Sequence, residues 1–316
     1  VTSGRSGPWT ADEIPDLQGR IVLVTGASSG IGFAAAVELA RHGAETVMAC
    51  RSPERGGAAL QKLQKLVPSA RAELMDLDLA SLESIADFCG QFRKRHSRLH
   101  VLINNAGVMA APYLRTRDGF ELHVGINHLG HFALTGLLLG RIAETAGARV
   151  VTVSSIMHRF GRIDRAKLQH SAAGYSNWGA YSRSKLYNLH FAYQLQRFFA
   201  GAGIDAESLA AHPGYTATNL GSRFGRARPR WRERLRRMLI QGPAMGALPV
   251  LRAATAPEAC GGQYYGPRGA FGLRGHPIAV SSSRSSQSKS QARRVWELSV
   301  AMTAVDFAGL RAGPGA

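Results

Sequence analysis

The chain has 316 residues, 45% of them apolar and 19% charged. Such values provide apolar surface for a sizeable core and exclude collagen-like, disulfide-scaffold and globally disordered classes. The formal charge of +18 at pH 7, from 39 Lys and Arg against 21 Asp and Glu, favours anionic partners such as phosphates, acidic lipid surfaces or nucleic acid and is silent on the fold.

Residues 1–17 contain Gly4, Gly7, Pro8 and Pro15 and no periodicity, so they read as an N-terminal arm that Trp9 ties down in part. At Arg20 the pattern changes. Ile21 to Val24 is a short apolar run, Thr25 to Gly32 is a glycine-rich turn, and the residues up to Arg41 have helical spacing, which together predict strand, turn and helix. Further short runs at Thr46 to Ala49, Arg71 to Met75, Val101 to Ile103, Arg149 to Val153 and Ala206 to Ala210 alternate with helical stretches over 54–67, 81–95, 119–145 and 179–202. Ser81 suits a helix cap, and Gly201 and Gly203 mark where the last of these helices stops. After Pro213 the chain is expected to be irregular. It carries an arginine run from Arg223 to Arg237, an edge strand at Gln263 to Tyr265, a serine-rich loop or disordered stretch from Ser281 to Ser290, and a short helix from Gln291 to Thr303. The alternation predicts an α/β fold in one domain over 18–280, a doubly wound and mainly parallel sheet of about seven strands with helices on both faces. A serine-rich segment, short helix and tail over 281–316 would follow it.

Three cysteines, Cys50, Cys89 and Cys260, have no metal-type spacing and read as reduced thiols in or near the core. Apolar stretches such as Phe132 to Leu139 end at Arg141 and Glu144, short of the roughly 20 residues that span a bilayer. With no secretory pattern at the N-terminus, the expected compartment is the cytoplasm.

Gly26, Gly30 and Gly32 sit between a strand and a helix, the context that dinucleotide binding requires. Gly26 would allow the tight turn, Gly30 the approach of a pyrophosphate and Gly32 close helix packing, while the helix N-terminus attracts phosphate charge. The second strand ends in Cys50-Arg51, where a cofactor without a 2′-phosphate would want an acid. Arg51 instead offers a planar fork to that phosphate, so NADP(H) is favoured and NAD(H) stays open. No second basic residue lies within the glycine turn, and a solvated arginine at a strand end is the plainer alternative.

Tyr181 and Lys185 are four residues apart on a predicted helix and therefore share a face. A phenol titrates near pH 10 and exchanges a proton near neutrality only with positive charge beside it, which Lys185 and an oxidised nicotinamide would supply. Ser155, after the fifth strand, can donate to a substrate oxygen, and Asn127 can hold a water that links Lys185 to bulk. Ser154 is the neighbour that could replace Ser155, but alternation along a strand points the two oppositely. His123, His128 and His131 lack a second ligand cluster, and no metal is expected.

These marks in order, Thr25-Gly26-Ala27-Ser28-Ser29-Gly30-Ile31-Gly32, Asn104-Asn105-Ala106-Gly107, Asn127, Ser154-Ser155, Tyr181 with Lys185, and His212-Pro213-Gly214, resemble a short-chain dehydrogenase/reductase over residues 18–220. The resemblance implies a Rossmann-type sheet and an oxidoreductase that interconverts a carbonyl and an alcohol. By it, Tyr181 transfers the proton, Lys185 lowers its pKa and binds ribose, Ser155 positions the carbonyl and Asn127 completes the relay. Asp78, before Leu79, would meet the adenine and Asn105 the ribose side, while Pro213, Gly214 and Thr216 would meet the carboxamide. Val124 to Phe132 and the long separation of Ser155 from Tyr181 resemble the retinol dehydrogenase and protochlorophyllide reductase branch, whose substrates are apolar. The segment from Ala211 to Leu220 looks more like bacterial, actinobacterial-type members. The same resemblance implies pairing of copies through the helices at 119–145 and 179–202.

Arg223 to Arg237 falls where the family has its variable substrate-covering loop, near 221–245. Trp231, Leu235, Met238 and Leu239 recur at helical spacing among the arginines, so a basic amphipathic helix could touch an anionic membrane surface; a solvated arginine face is the plainer alternative. A catalytically silent nucleotide sensor or nucleic-acid binder on the same scaffold is the rival function. The complete Ser155, Tyr181 and Lys185 set and the lack of a recognition motif weigh against it, and no specific nucleic acid is expected.

Overall fold

The computed structural model describes residues 7–163, 168, 171–216 and 240–307. The expected amphipathic helix over 223–237 lies outside them.

Eight strands form one sheet in the order β3-β2-β1-β4-β5-β6-β7-β8. They are β1 (Ile21–Thr25), β2 (Glu45–Cys50), β3 (Ala72–Asp76), β4 (Val101–Asn104), β5 (Ala148–Val153), β6 (Ala206–Ala211), β7 (Tyr264–Pro267) and β8 (Pro277–Ala279). The first seven pair in parallel and β8 runs antiparallel to β7, Tyr265 facing Ala279. About seven strands were expected. The eighth is a three-residue edge strand that opens on Pro277, and proline at a strand start weakens any strand signal.

Alternation along the strands sorts the core into two layers. Val22 and Val24 of β1 pack with α1 (Gly30–Arg41), α2 (Pro53–Leu66) and α8 (Pro243–Thr255), whereas Leu23 packs on the other face with α3 (Leu82–Arg95), α5 (Gly130–Leu137) and α7 (Asn177–Ala202). Helix α8 falls where an irregular chain was expected. Its sequence, with Pro243 at the start and Pro249 inside, hides the helical pattern, yet most of the helix is buried. As expected, Ser81 caps α3, its hydroxyl accepting from the Ser84 amide at 3.2 Å, and Gly203 ends α7 at φ +64.

The stretch 119–145, expected as one helix, is broken. It holds α4 (Leu122–Val124), a π-helical turn (Gly125–Leu129), α5, and α6 (Leu139–Ala143). The serine-rich segment is not disordered: a 3-10 turn spans Ser285–Gln287, Ser286 is buried, and Ser288 caps α9 (Lys289–Thr303). Its serines bond inward, Ser286 Oγ donating to Ser282 Oγ at 2.8 Å and Tyr193 donating to the same oxygen at 2.9 Å. Trp9, Ile14 and Leu17 of the N-terminal arm are buried in the core. Cys50 and Cys89 are buried as expected; Cys260 is exposed, because it sits in the turn that leads to β7.

Candidate active site

The strand order reverses between β1 and β4, and at such a switch point the ends of the strands leave a crevice. A cavity of about 560 Å³ occupies it. The glycine turn closes one side. Gly26 has φ +68, and a Cβ there would stand 2.9 Å from Ala106 Cα, while a Cβ on Gly32 would stand 2.6 Å from the Gly26 carbonyl oxygen. Only glycine lets these backbones approach so closely. Thr25 stitches the two loops: its Oγ1 accepts from the amides of Asn105 and Ala106, each at 2.9 Å, and the Asn105 side chain donates to the Thr25 carbonyl at 2.8 Å.

Most of the sequence-predicted residues meet in this cavity. Gly26, Ser28, Ser29, Gly30, Ile31 and Gly32 of the turn line it, as do Arg51, Asp78 and Leu79. So do Asn105, Ala106, Gly107, Tyr181, Lys185 and Pro213. Gly214 and Thr216 stand behind Pro213: Thr216 Oγ1 donates to the Pro213 carbonyl at 2.7 Å, and Gly214, at φ +66, packs on the Leu273 carbonyl. Missed by the sequence reading is Arg55, which also lines the wall. Ser52 starts α2 by accepting from the Arg55 amide at 3.3 Å, which brings Arg55 one turn beyond Arg51 and onto the same wall. The four-residue spacing was the available signal. Among the described residues Asp78 is the only acid in the wall, and its Oδ1 accepts from the Ala80 amide at 3.0 Å.

At the other end stand the acid/base candidates. Tyr181 and Lys185 are buried one helical turn apart on α7, the Lys185 Nζ 5.9 Å from the Tyr181 ring centroid. Lys185 Nζ donates to the Val153 carbonyl at 3.0 Å. Burial pushes the Lys185 ammonium down to about 8. Burial also raises the Tyr181 phenol, and a hydrogen bond with Ser155 opposes that rise. Of the two serines it is Ser154 that lines the cavity, its hydroxyl donating to the Lys185 carbonyl at 2.7 Å, whereas Ser155, expected there, is not in the wall and caps the following 3-10 turn, its hydroxyl accepting from the Met157 amide at 3.2 Å.

Asn127 does not line the cavity. It sits in the π-helical turn, fully buried, its Oδ1 accepting from the Val108 amide at 2.8 Å and its Nδ2 donating to the Val108 carbonyl at 3.0 Å and to Ser184 Oγ at 2.9 Å. A π turn widens the helix by one residue and commonly marks a functional site. The Asn127 carbonyl accepts from His131 Nδ1 at 3.1 Å, and His131 Nε2 faces Thr25 Oγ1 at 2.9 Å, so the glycine turn and the π turn are joined through one buried ring.

Among the described residues, one group brings three ligand-type atoms within 4.8 Å of one another: Glu45, Glu73 and His96. It lies at the opposite end of β2 and β3, where Arg95 pairs with Glu73 at 2.8 Å. Among the described residues no helix is long and apolar enough to cross a membrane.

A crevice built in this way, with a glycine turn at one side and a tyrosine–lysine pair at the other, is that of an oxidoreductase. The chain matches the short chain dehydrogenase family model over residues 20–228, and it belongs to that family. Its relatives place it in the retinol dehydrogenase-like branch. It is 39% identical to retinol dehydrogenase 11 of Homo sapiens over 287 residues, 90% of this chain and 85% of that protein. It is 40% identical to polyprenol dehydrogenase of Mus musculus over 264 residues, 82% and 78% of the two chains. Among solved structures, a protein from Mycobacterium paratuberculosis described as putative and uncharacterized is 41% identical, with a TM-score of 0.80 over 95% of this chain and 99% of its own. A Shigella flexneri short chain dehydrogenase described as complexed with NADP shares the fold, at 24% identity and TM-score 0.61 over 79% of this chain and 97% of its own. The rival reading, a silent nucleotide sensor or nucleic-acid binder, gains no support.

Proposed function

We propose that this chain is an NADP(H)-dependent oxidoreductase that interconverts a carbonyl and an alcohol on a small apolar substrate. The observation that carries the reading is the polarity of the cavity: Arg51 and Arg55 at one end, Tyr181 and Lys185 at the other. The residues fit a nicotinamide dinucleotide. Gly26 and Gly32 keep the turn tight, since a Cβ at either would run into backbone, and α1 starts at that turn with its N-terminus, which suits a pyrophosphate. Arg51 and Arg55 suit the 2′-phosphate, since a charge-assisted contact is worth about 1.5 to 3 kcal/mol. When bound, the nicotinamide supplies or accepts the hydride.

This chain's own residues do the rest. Val108, Met109, Ala111, Leu122, Ile126 and Val153 give the Tyr181 end an apolar wall, which excludes water and suits an apolar carbonyl. Ser155, whose side chain opposes the rise of the Tyr181 phenol, would share the carbonyl oxygen with it. In reduction the Tyr181 hydroxyl gives its proton to that oxygen, and the Lys185 ammonium steadies the phenolate left behind.

The test is a fluorescence titration of NADPH and NADH. Arg51→Ala should weaken NADPH about ten- to a hundred-fold and Arg55→Ala by a smaller factor, with NADH little changed. Equal loss for both cofactors would remove the 2′-phosphate assignment, and binding of neither would sink the oxidoreductase reading of this site.

A further inference from the structure

We propose that Glu121, His123 and Tyr175 form a positioning network for the substrate end of the cavity; the proposal rests on Tyr181 being the proton-handling group at that end. The side chains of Glu121 and His123 are fully buried. Glu121 Oε1 accepts from the Tyr175 hydroxyl at 2.8 Å, from His123 Nδ1 at 2.9 Å and from the His123 amide at 3.0 Å, while Oε2 accepts from the Val124 amide at 3.0 Å. Burial alone would raise this carboxyl, but the hydrogen bonds outweigh it and hold Glu121 below its usual value. The group is a carboxylate, and these bonds tie it to His123, Val124 and Tyr175.

His123 connects that carboxylate to the cavity wall. The Ala111 amide donates to its Nε2 at 3.2 Å, so the ring proton sits on Nδ1, facing Glu121 and the Tyr175 oxygen at 2.9 Å. One neutral tautomer is selected. Ala111 lines the cavity, and the preceding Ala110 has φ +53, a conformation that a residue with a Cβ holds only when its surroundings impose it. The surroundings here are two bonds, Ala111 to His123 and the Asn177 side chain donating to the Ala110 carbonyl at 3.3 Å. The His123 ring also stands edge-on to the Tyr181 ring, centroids 6.3 Å apart. One imidazole thus touches both the tyrosine and the wall that faces it, and Tyr175 ties the pair to the loop ahead of α7.

The test uses His123→Leu, His123→Gln and Tyr175→Phe in the full chain. Leucine removes the acceptor for Ala111; glutamine returns an acceptor near the Nε2 position. Amide hydrogen exchange across 108–111, with and without NADPH, should quicken at least about ten-fold in His123→Leu and return toward wild type in His123→Gln. With decanal as the carbonyl probe, KM should rise at least about ten-fold in His123→Leu and about three-fold in Tyr175→Phe, kcat falling less and NADPH affinity holding within about two-fold. Unchanged exchange in His123→Leu, quickened exchange without rescue by glutamine, or an unchanged KM overturns the proposal. Failure of the wild type to bind NADPH is a separate result: it defeats the cofactor reading, while the exchange measured without NADPH still decides the network.

Discussion

In the proposed function Tyr181 and Lys185 divide the chemistry between them, and single substitutions separate their parts. Tyr181→Phe keeps the ring packed and removes the proton; kcat should fall by a factor of about 10² to 10⁴ with cofactor affinity nearly intact. Steady-state rates beside a binding titration check this, and a smaller loss would move the proton to another group. Lys185 gives a pH signature. Because burial brings its ammonium down to about 8, the cation is present below that pH and is lost above it. At subsaturating cofactor, carbonyl reduction should therefore fall about ten-fold per pH unit above that point, one proton per unit. A flat profile from pH 7 to 10 would show that Lys185 keeps its proton in the working enzyme. These two residues, with the glycines and Arg51, could be read from the sequence because helical period and strand–turn–helix order place them locally. Glu121 and Tyr175 could not: they meet only because loops far apart in sequence fold onto the same wall.

Among the elements, short strands flanked by glycine turns were legible, since β-branched and apolar runs of that length have few other uses in an alternating chain. The helices with a clear apolar stripe, α2 and α3, came out within a residue or two of their expected bounds. Helix α8 and strand β8 were not legible, for Pro249 and Pro277 mask both periodicities. The break of 119–145 was hidden differently. Its polar residues Glu121, His123, Asn127, His128 and His131 are themselves buried, so no exposed polar face marks where the winding changes from α to π. Helix α9, expected over 291–303, carries Trp296, which packs on Phe132, Phe191, Phe198 and Phe307 with centroids 5.0, 5.8, 4.8 and 4.5 Å away. Trp296→Ala should cost about 3 kcal/mol, read as a lower urea midpoint at constant slope; a loss under about 0.5 kcal/mol would mean that α9 is a surface addition.

For the molecule as a whole, buried histidines set the acid limit. Burial pushes His128, His131 and His212 down to about 3, and His158 and His190 down to about 4. Their usual value is about 6.5. Between the two values the unfolded chain binds protons that the native chain refuses, so stability is lost as pH falls from about 6.5, by up to about 1.4 kcal/mol per pH unit for each ring. Thermal unfolding followed from pH 7 to 4 should show Tm falling steeply across that window; a flat Tm would mean that these rings take up protons without opening the core. The net charge belongs to this scale too. If the arginines of 223–237 meet an anionic surface, flotation with phosphatidylserine vesicles should be lost at about 0.5 M salt.

The aromatic cluster closed by Trp296 and Phe307 also has a consequence in time. Every residue of the dinucleotide crevice has left the ribosome before these two are made. Phe191 therefore waits about 6 to 23 s for Phe307 at translation rates of about 5 to 20 residues per second, and Phe132 longer. Throughout that interval a greasy helix face is bare on the nascent chain, which makes it the natural place for a chaperone to hold, and the synthesis of α9 and Phe307 the step that dismisses it.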